Sequence, residues 1–141
     1  MTPLGQHIVI VEKDRKLLES LTAYVTQHNV KGGSISGLGA LKNAELGYYE
    51  LEKKEYIRKT FKGEDFELIS LTGNISLREG QPYIHVHASL GKSNFEVFGG
   101  HLFEAEVAVT AEVIIQPLGL MPERTFDSCI GLALISDRGT K

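Results

Sequence analysis

The chain has a single cysteine, Cys129, which excludes an internal disulfide and fits a reducing, cytoplasmic setting. It has no apolar run near the roughly 20 residues that a membrane-spanning helix needs, so no membrane association is expected. Its start, Met-Thr-Pro-Leu-Gly-Gln-His, lacks a basic segment followed by an apolar one, which argues against a secretory leader. Basic residues are scattered. Asp14 separates Lys13 from Arg15 and Lys16, and Lys53-Lys54 lies between Glu52 and Glu55. With a net charge of −3, the chain lacks the cationic surplus that neutralises phosphates in most DNA complexes. DNA as a partner is therefore disfavoured, and a local patch on the folded surface is the route left to it. Repeats, low-complexity segments and linkers are also missing.

What is present suits one domain over residues 1–141, built on one core. Hydrophobic residues make up 42% and charged residues 23%, an ordinary globular balance. Residues 7–12, His-Ile-Val-Ile-Val-Glu, are rich in β-branched side chains and predict a strand. Leu17, Leu18, Leu21 and Val25 recur at helical spacing, which predicts an amphipathic helix over 15–28. Asp14 is its expected N-cap and Asn29 its expected stop. From residue 30 onward the pattern is one of strands and turns. Residues 44–51 and 55–61 form an expected hairpin, followed by a long strand over 66–77 with a bulge at Gly73-Asn74. Residues 83–90 and 95–98 form a second hairpin. Strands at 104–116, closed by Pro117, and at 129–136 complete the pattern. One main helix and seven or eight strands, without strand–helix alternation, predict an α+β fold with a mainly antiparallel sheet.

The chemistry concentrates in Tyr83-Ile-His-Val-His-Ala-Ser-Leu90 and Gly99-Gly-His-Leu102. Alternate side chains of a strand share a face, so His85 and His87 point the same way, about 7 Å apart at Cβ. The returning hairpin can bring His101 beside them, with Gly99 and Gly100 allowing close backbone approach. Paired histidines on a strand also occur as half-buried surface residues with ordinary hydrogen bonds. Three converging imidazoles fit a divalent metal, zinc first, and leave the fourth position open, as catalytic zinc sites do. Such an ion polarises a carbonyl or activates water. In 104–115, Glu104, Glu106, Thr110 and Glu112 share one parity, and Ala105, Val107, Val109, Ala111, Val113 and Ile115 the other. Glu112, an acid among apolar neighbours, is the candidate catalytic proton-transfer residue; its plainer role is solvent-facing or salt-bridged. Gly37-Leu38-Gly39 lacks phosphate-loop spacing and reads as a bulge or bend. Tyr24, Tyr48, Tyr49 and Tyr56 read as packing residues.

Five blocks carry a family resemblance: Ser34-Ile-Ser-Gly-Leu-Gly-Ala-Leu-Lys-Asn43, Phe66-Glu-Leu-Ile-Ser-Leu-Thr-Gly-Asn74, Tyr83-Ile-His-Val-His-Ala88, Gly99-Gly-His-Leu102 and Thr110-Ala-Glu-Val-Ile-Ile115. Together they resemble the plant and prokaryote conserved (PPC) domain, also called domain of unknown function 296. Arg124-Thr-Phe-Asp127 with Gly131-Leu132 is similar to the family's C-terminal block. The resemblance implies a compact domain with an antiparallel sheet, a homotrimer as in prokaryotic members, and a metal at the matching His85, His87 and His101. Plant members follow AT-hook motifs and serve in nuclear DNA-associated proteins, a history that gives bacterial members a DNA-binding label. This chain has no Arg-Gly-Arg-Pro core. It carries Asp65 where the plant segment has arginine, and Lys92-Ser93-Asn94-Phe95 lacks the usual Asp and Gly. The fold group also includes acetolactate decarboxylases, zinc enzymes with a His-x-His and a later His, an analogy of fold that fixes no reaction.

Three functional expectations follow, in order. The first is a metal-binding, self-associating protein with a regulatory or interaction role. The second is a DNA-associated protein. The third is a zinc-dependent lyase or hydrolase acting on a small carbonyl or carboxylate compound, which would make a small-molecule ligand a partner.

Overall fold

Among the described residues, alternating apolar positions extend into eight strands, and the one stretch of helical period forms the helix. The computed structural model describes residues 5–136, so the N-terminal heptapeptide lies partly outside the described residues. In chain order the elements are β1 (His7–Glu12), α1 (Leu17–Gln27), β2 (Gly33–Glu50), β3 (Glu55–Phe61), β4 (Phe66–Arg78), β5 (Gln81–Gly91), β6 (Val97–Pro117), β7 (Glu123–Asp127) and β8 (Leu132–Ile135). The architecture is α+β and mostly antiparallel; the pairing of β7 with β4 is parallel.

Four strands close on themselves: β2 pairs with β6, β6 with β5, β5 with β4, and β4 again with β2. Closure removes the edges that an open sheet would leave unpaired. Strand β1 covers the far end of β6, and β3 covers the far end of β2. The inward side chains Ile35, Leu41, Leu68, Leu71, Ile75, Val86, Leu90, Val107, Val113 and Ile115 form the core together with Leu17, Leu21 and Val25 of α1. Each fully buried leucine or isoleucine contributes about 2 kcal/mol.

The helix ends as expected and begins differently. Asn29 adopts φ 55°; its N–H donates to Thr26 O and that of Val30 to Val25 O. This is a Schellman termination, with buried Val30 and Val25 as its apolar pair. Asp14 is not the N-cap. It sits at φ 67°, outside the extended conformation a cap requires, and its carboxylate pairs with Lys42. Lys16 holds the cap position without a side-chain bond. The carboxylate of Glu104, on β6, accepts from Leu18 N at 2.8 Å and Glu19 N at 3.1 Å instead.

Several boundaries shift. The expected strands 95–98 and 104–116 run together as β6, and 34–51 is nearly all one strand, β2. The expected last strand, 129–136, is shortened to β8, and β7, which local pattern does not show, precedes it as its hairpin partner. Asp127 Oδ1 accepts from Cys129 N and Ile130 N and turns the chain there. Gly73-Asn74 is no bulge: Gly73 pairs regularly with Ile35 and Val86. A Cβ at Gly73 would lie 1.9 Å from the His85 carbonyl oxygen, so glycine is required by close approach. The register does shift at Gly37–Gly39, where β4 carries the extra residue, Ile69. A second shift leaves four steps of β6, Val107 to Ala111, opposite two of β2, Leu41 to Gly39. It breaks the expected parity and turns Val109 outward, 66% exposed. Tyr48 is likewise exposed rather than packed.

Candidate metal centre

Strand parity sets the first two imidazoles. Ile84, Val86, Ala88 and Leu90 of β5 are buried, so His85 and His87 emerge on the opposite face. Strand β6 supplies the third, because His101 is the cross-strand partner of His87. Gly99 makes the approach possible, since a Cβ there would stand 2.4 Å from the Ala88 carbonyl oxygen. The structure thus brings these three residues together. Nitrogens of His85, His87 and His101 lie within 4.8 Å of one another. An ion with metal–nitrogen bonds of about 2.0–2.1 Å in a tetrahedral site would set them about 3.3 Å apart.

The surroundings suit neutral imidazoles. His101 is 9% exposed, packed between Tyr56 (centroids 5.1 Å) and Phe103 (4.6 Å). Burial, with the neighbouring His85 and His87 and the Arg58 and Arg124 guanidiniums, pushes its imidazole down to about 4. Burial, Arg124 and His87 push His85 down to about 4 as well. Both are therefore neutral at pH 7 with a lone pair to give. The Nδ1 of His101 is buried and has no hydrogen-bond partner among the described residues. A buried polar atom without a partner is costly, and an ion would satisfy it. The residues fit a metal, and three histidines could hold one.

Arg124 is the residue that local sequence pattern does not assign to the site. Its strand, β7, runs beside β4, with Arg124 opposite Arg78. From there Nε donates to Ser76 Oγ at 2.7 Å, Nη1 to Ala133 O at 3.1 Å, and Nη2 to Asn74 Oδ1 at 3.3 Å and His85 Nδ1 at 3.2 Å. Arginine only donates, so His85 Nδ1 accepts and its neutral ring carries the proton on Nε2. Arg124, Tyr83, Tyr56, Phe103 and Leu134 line a cleft of about 220 Å³ that reaches His85 and His101. Tyr83 shares the parity of His85 and His87, which sequence alone reveals. Arg124 entered only through its resemblance to the family's C-terminal block.

Glu112 is elsewhere. It is exposed on β6 between Ile10 and Leu38, and lines a shallow groove with Ile8, Ile114 and Ser70. The structure does not bring it to the imidazoles.

A ring of four strands with one helix, carrying three converging histidines on an outer face, defines an α+β protein with a candidate metal centre. Residues 1–119 match the family model of the Plants and Prokaryotes Conserved (PCC) domain, and the chain belongs to that family. It is similar to the plant- and prokaryote-conserved (PPC) protein of Pyrococcus horikoshii, with 39% identity over 94% of this chain and 92% of that one and a TM-score of 0.87. A protein of Archaeoglobus fulgidus, described as metal-containing, shares 35% identity over 94% of both chains, TM-score 0.87. One from Bacteroides thetaiotaomicron, described as a candidate DNA-binding protein, shares 30% over 92% and 90%, TM-score 0.88. The likeness to acetolactate decarboxylase of Bacillus subtilis, 16% identical over 93% of this chain and 61% of that one at a TM-score of 0.56, is one of fold alone. No curated protein matches the chain. Among the described residues, no helix is long and apolar enough to cross a membrane.

Proposed function

We propose that this PCC protein is a single-domain, cytoplasmic zinc protein that self-associates as a homotrimer and serves a regulatory or interaction role. The observation that carries the metal reading is the buried, unpartnered Nδ1 of His101 beside two further imidazoles within 4.8 Å. The Archaeoglobus relative described as metal-containing supports it. Three neutral nitrogen ligands suit zinc, which takes four-coordinate sites of this kind. Self-association is supported by an exposed, mainly apolar strip across β1, β6 and β2, where Ile8 (70% exposed) lies beside Ile114, and Ile10 and Leu38 flank Glu112. Contiguous exposed apolar surface marks interaction sites.

The test is equilibrium dialysis against zinc for the wild type and His87→Ala. Loss of most bound zinc in the variant is expected, because two imidazoles hold a divalent ion weakly. Equal zinc uptake by the two would remove the assignment.

A second reading, a zinc-dependent lyase or hydrolase on a small carbonyl or carboxylate compound, is favoured by the cleft beside the imidazoles. The ion would supply Lewis acidity there, with Arg124 and Tyr83 to orient a ligand. Glu112 does not serve that cleft. DNA association ranks lower, since it rests on a relative's description against a net charge of −3.

A further inference from the structure

The cleft beside the imidazoles holds a positive charge that nothing among the described residues of its lining balances. Arg124 is half-buried, and each of its four hydrogen-bond partners, Ser76, Ala133, Asn74 and His85, is neutral. Among the described residues it makes no ion pair. Among the described residues the lining adds a second guanidinium, Arg78, and contains no aspartate or glutamate. Charge withdrawn from water without a counter-ion is costly.

Zinc binding would sharpen the imbalance. A neutral imidazole has one nitrogen lone pair, and that of His85 now accepts the Arg124 Nη2 hydrogen at 3.2 Å. Once the lone pair serves an ion, through either ring nitrogen, that hydrogen has no acceptor. A divalent ion with three neutral ligands then stands beside an unpaired guanidinium.

We infer that the cleft binds a small organic carboxylate, held by the Arg124 guanidinium with a neighbouring oxygen turned towards the three histidines. The inference rests on the zinc reading above. A planar carboxylate matches the planar fork of arginine through two parallel hydrogen bonds. The ligand's body is apolar, because Tyr56, Tyr83, Phe103, Leu132 and Leu134 form the walls. It is also small, because the cleft measures about 220 Å³, below the roughly 300–1,000 Å³ of sites for drug-sized ligands.

The experiment uses the full chain loaded with cobalt(II), whose visible absorption reports changes in its ligands, titrated with pyruvate as probe. A saturable spectral change is expected. Methyl pyruvate, which lacks the charge, should give none. Arg124→Gln should keep one cobalt per chain and bind pyruvate about tenfold more weakly, or worse. A chain that takes up no cobalt overturns the zinc reading and this inference with it. A cobalt-loaded wild type that is blind to pyruvate, or that answers the ester equally well, overturns the inference alone. The ester comparison needs no variant, so it decides the matter even if Arg124→Gln does not fold. A folded variant that binds pyruvate as tightly as the wild type also overturns it.

Discussion

His87 on β5 stands directly across the antiparallel ladder from His101 on β6. The two are joined by a turn in which Lys92 N donates to Glu96 O. The spacing of the third histidine from the first pair is therefore set by ladder register, and a one-residue slip would turn His101 to the opposite face.

Glu104 ties the helix to the sheet by accepting two free N–H groups of its first turn. Glu104→Ala should cost about 1–2 kcal/mol, the usual range for a lost cap. Asp14→Asn, which breaks the surface ion pair with Lys42 and still tolerates the left-handed φ of 67°, should leave stability nearly unchanged. Urea unfolding of both variants checks this. Equal effects would contradict the assignment of the cap to Glu104.

The metal-free protein should lose stability on mild acidification. Folded His85 and His101 ionise near 4, whereas an unfolded histidine does so near 6.5. Unfolding thus takes up protons between those values. The contribution is intact above about pH 6.5, declines as pH falls through the window, and is gone below about pH 4. Urea midpoints of the metal-free wild type should fall between pH 6.5 and 5. The double variant His85→Gln, His101→Gln should show a shallower fall, and parallel declines would contradict the account.

Sedimentation should give a mass of about three times 15.5 kDa, and Ile10→Glu, in the exposed apolar strip, should lower it. A wild-type monomer at micromolar concentration would end the homotrimer proposal.

Duplex DNA should bind weakly at physiological salt, because the chain carries −3, which the proposed trimer would bring to −9, and repels phosphates at long range. A salt titration with fluorescent duplex is the check. Sub-micromolar binding near 150 mM salt with a steep salt slope would promote the DNA-associated reading.

The parts of this protein legible in sequence are those fixed by local period. His85 and His87 are two apart on a strand with Ile84, Val86 and Ala88 on its other face, so their common direction follows from alternation. Leu17, Leu21 and Val25, with Asn29 beyond them, mark the buried helix face and its stop. What failed depends on partners distant in sequence. The helix cap comes from Glu104, more than eighty residues from the first turn it caps. Val109 turns outward because β2 and β6 fall out of register. Arg124 reaches His85 through a five-residue strand pairing in parallel with β4, a pairing that no local pattern encodes. Glu112 is apolar-flanked in sequence only because its strand alternates, and the sheet points it away from the imidazoles.

The central claim is that His85, His87 and His101 hold one ion. Elemental analysis of the chain purified without an affinity tag, then supplied with zinc and freed of excess, tests it most directly. The account predicts close to one zinc per chain. A chain that stays metal-free after zinc addition would contradict it.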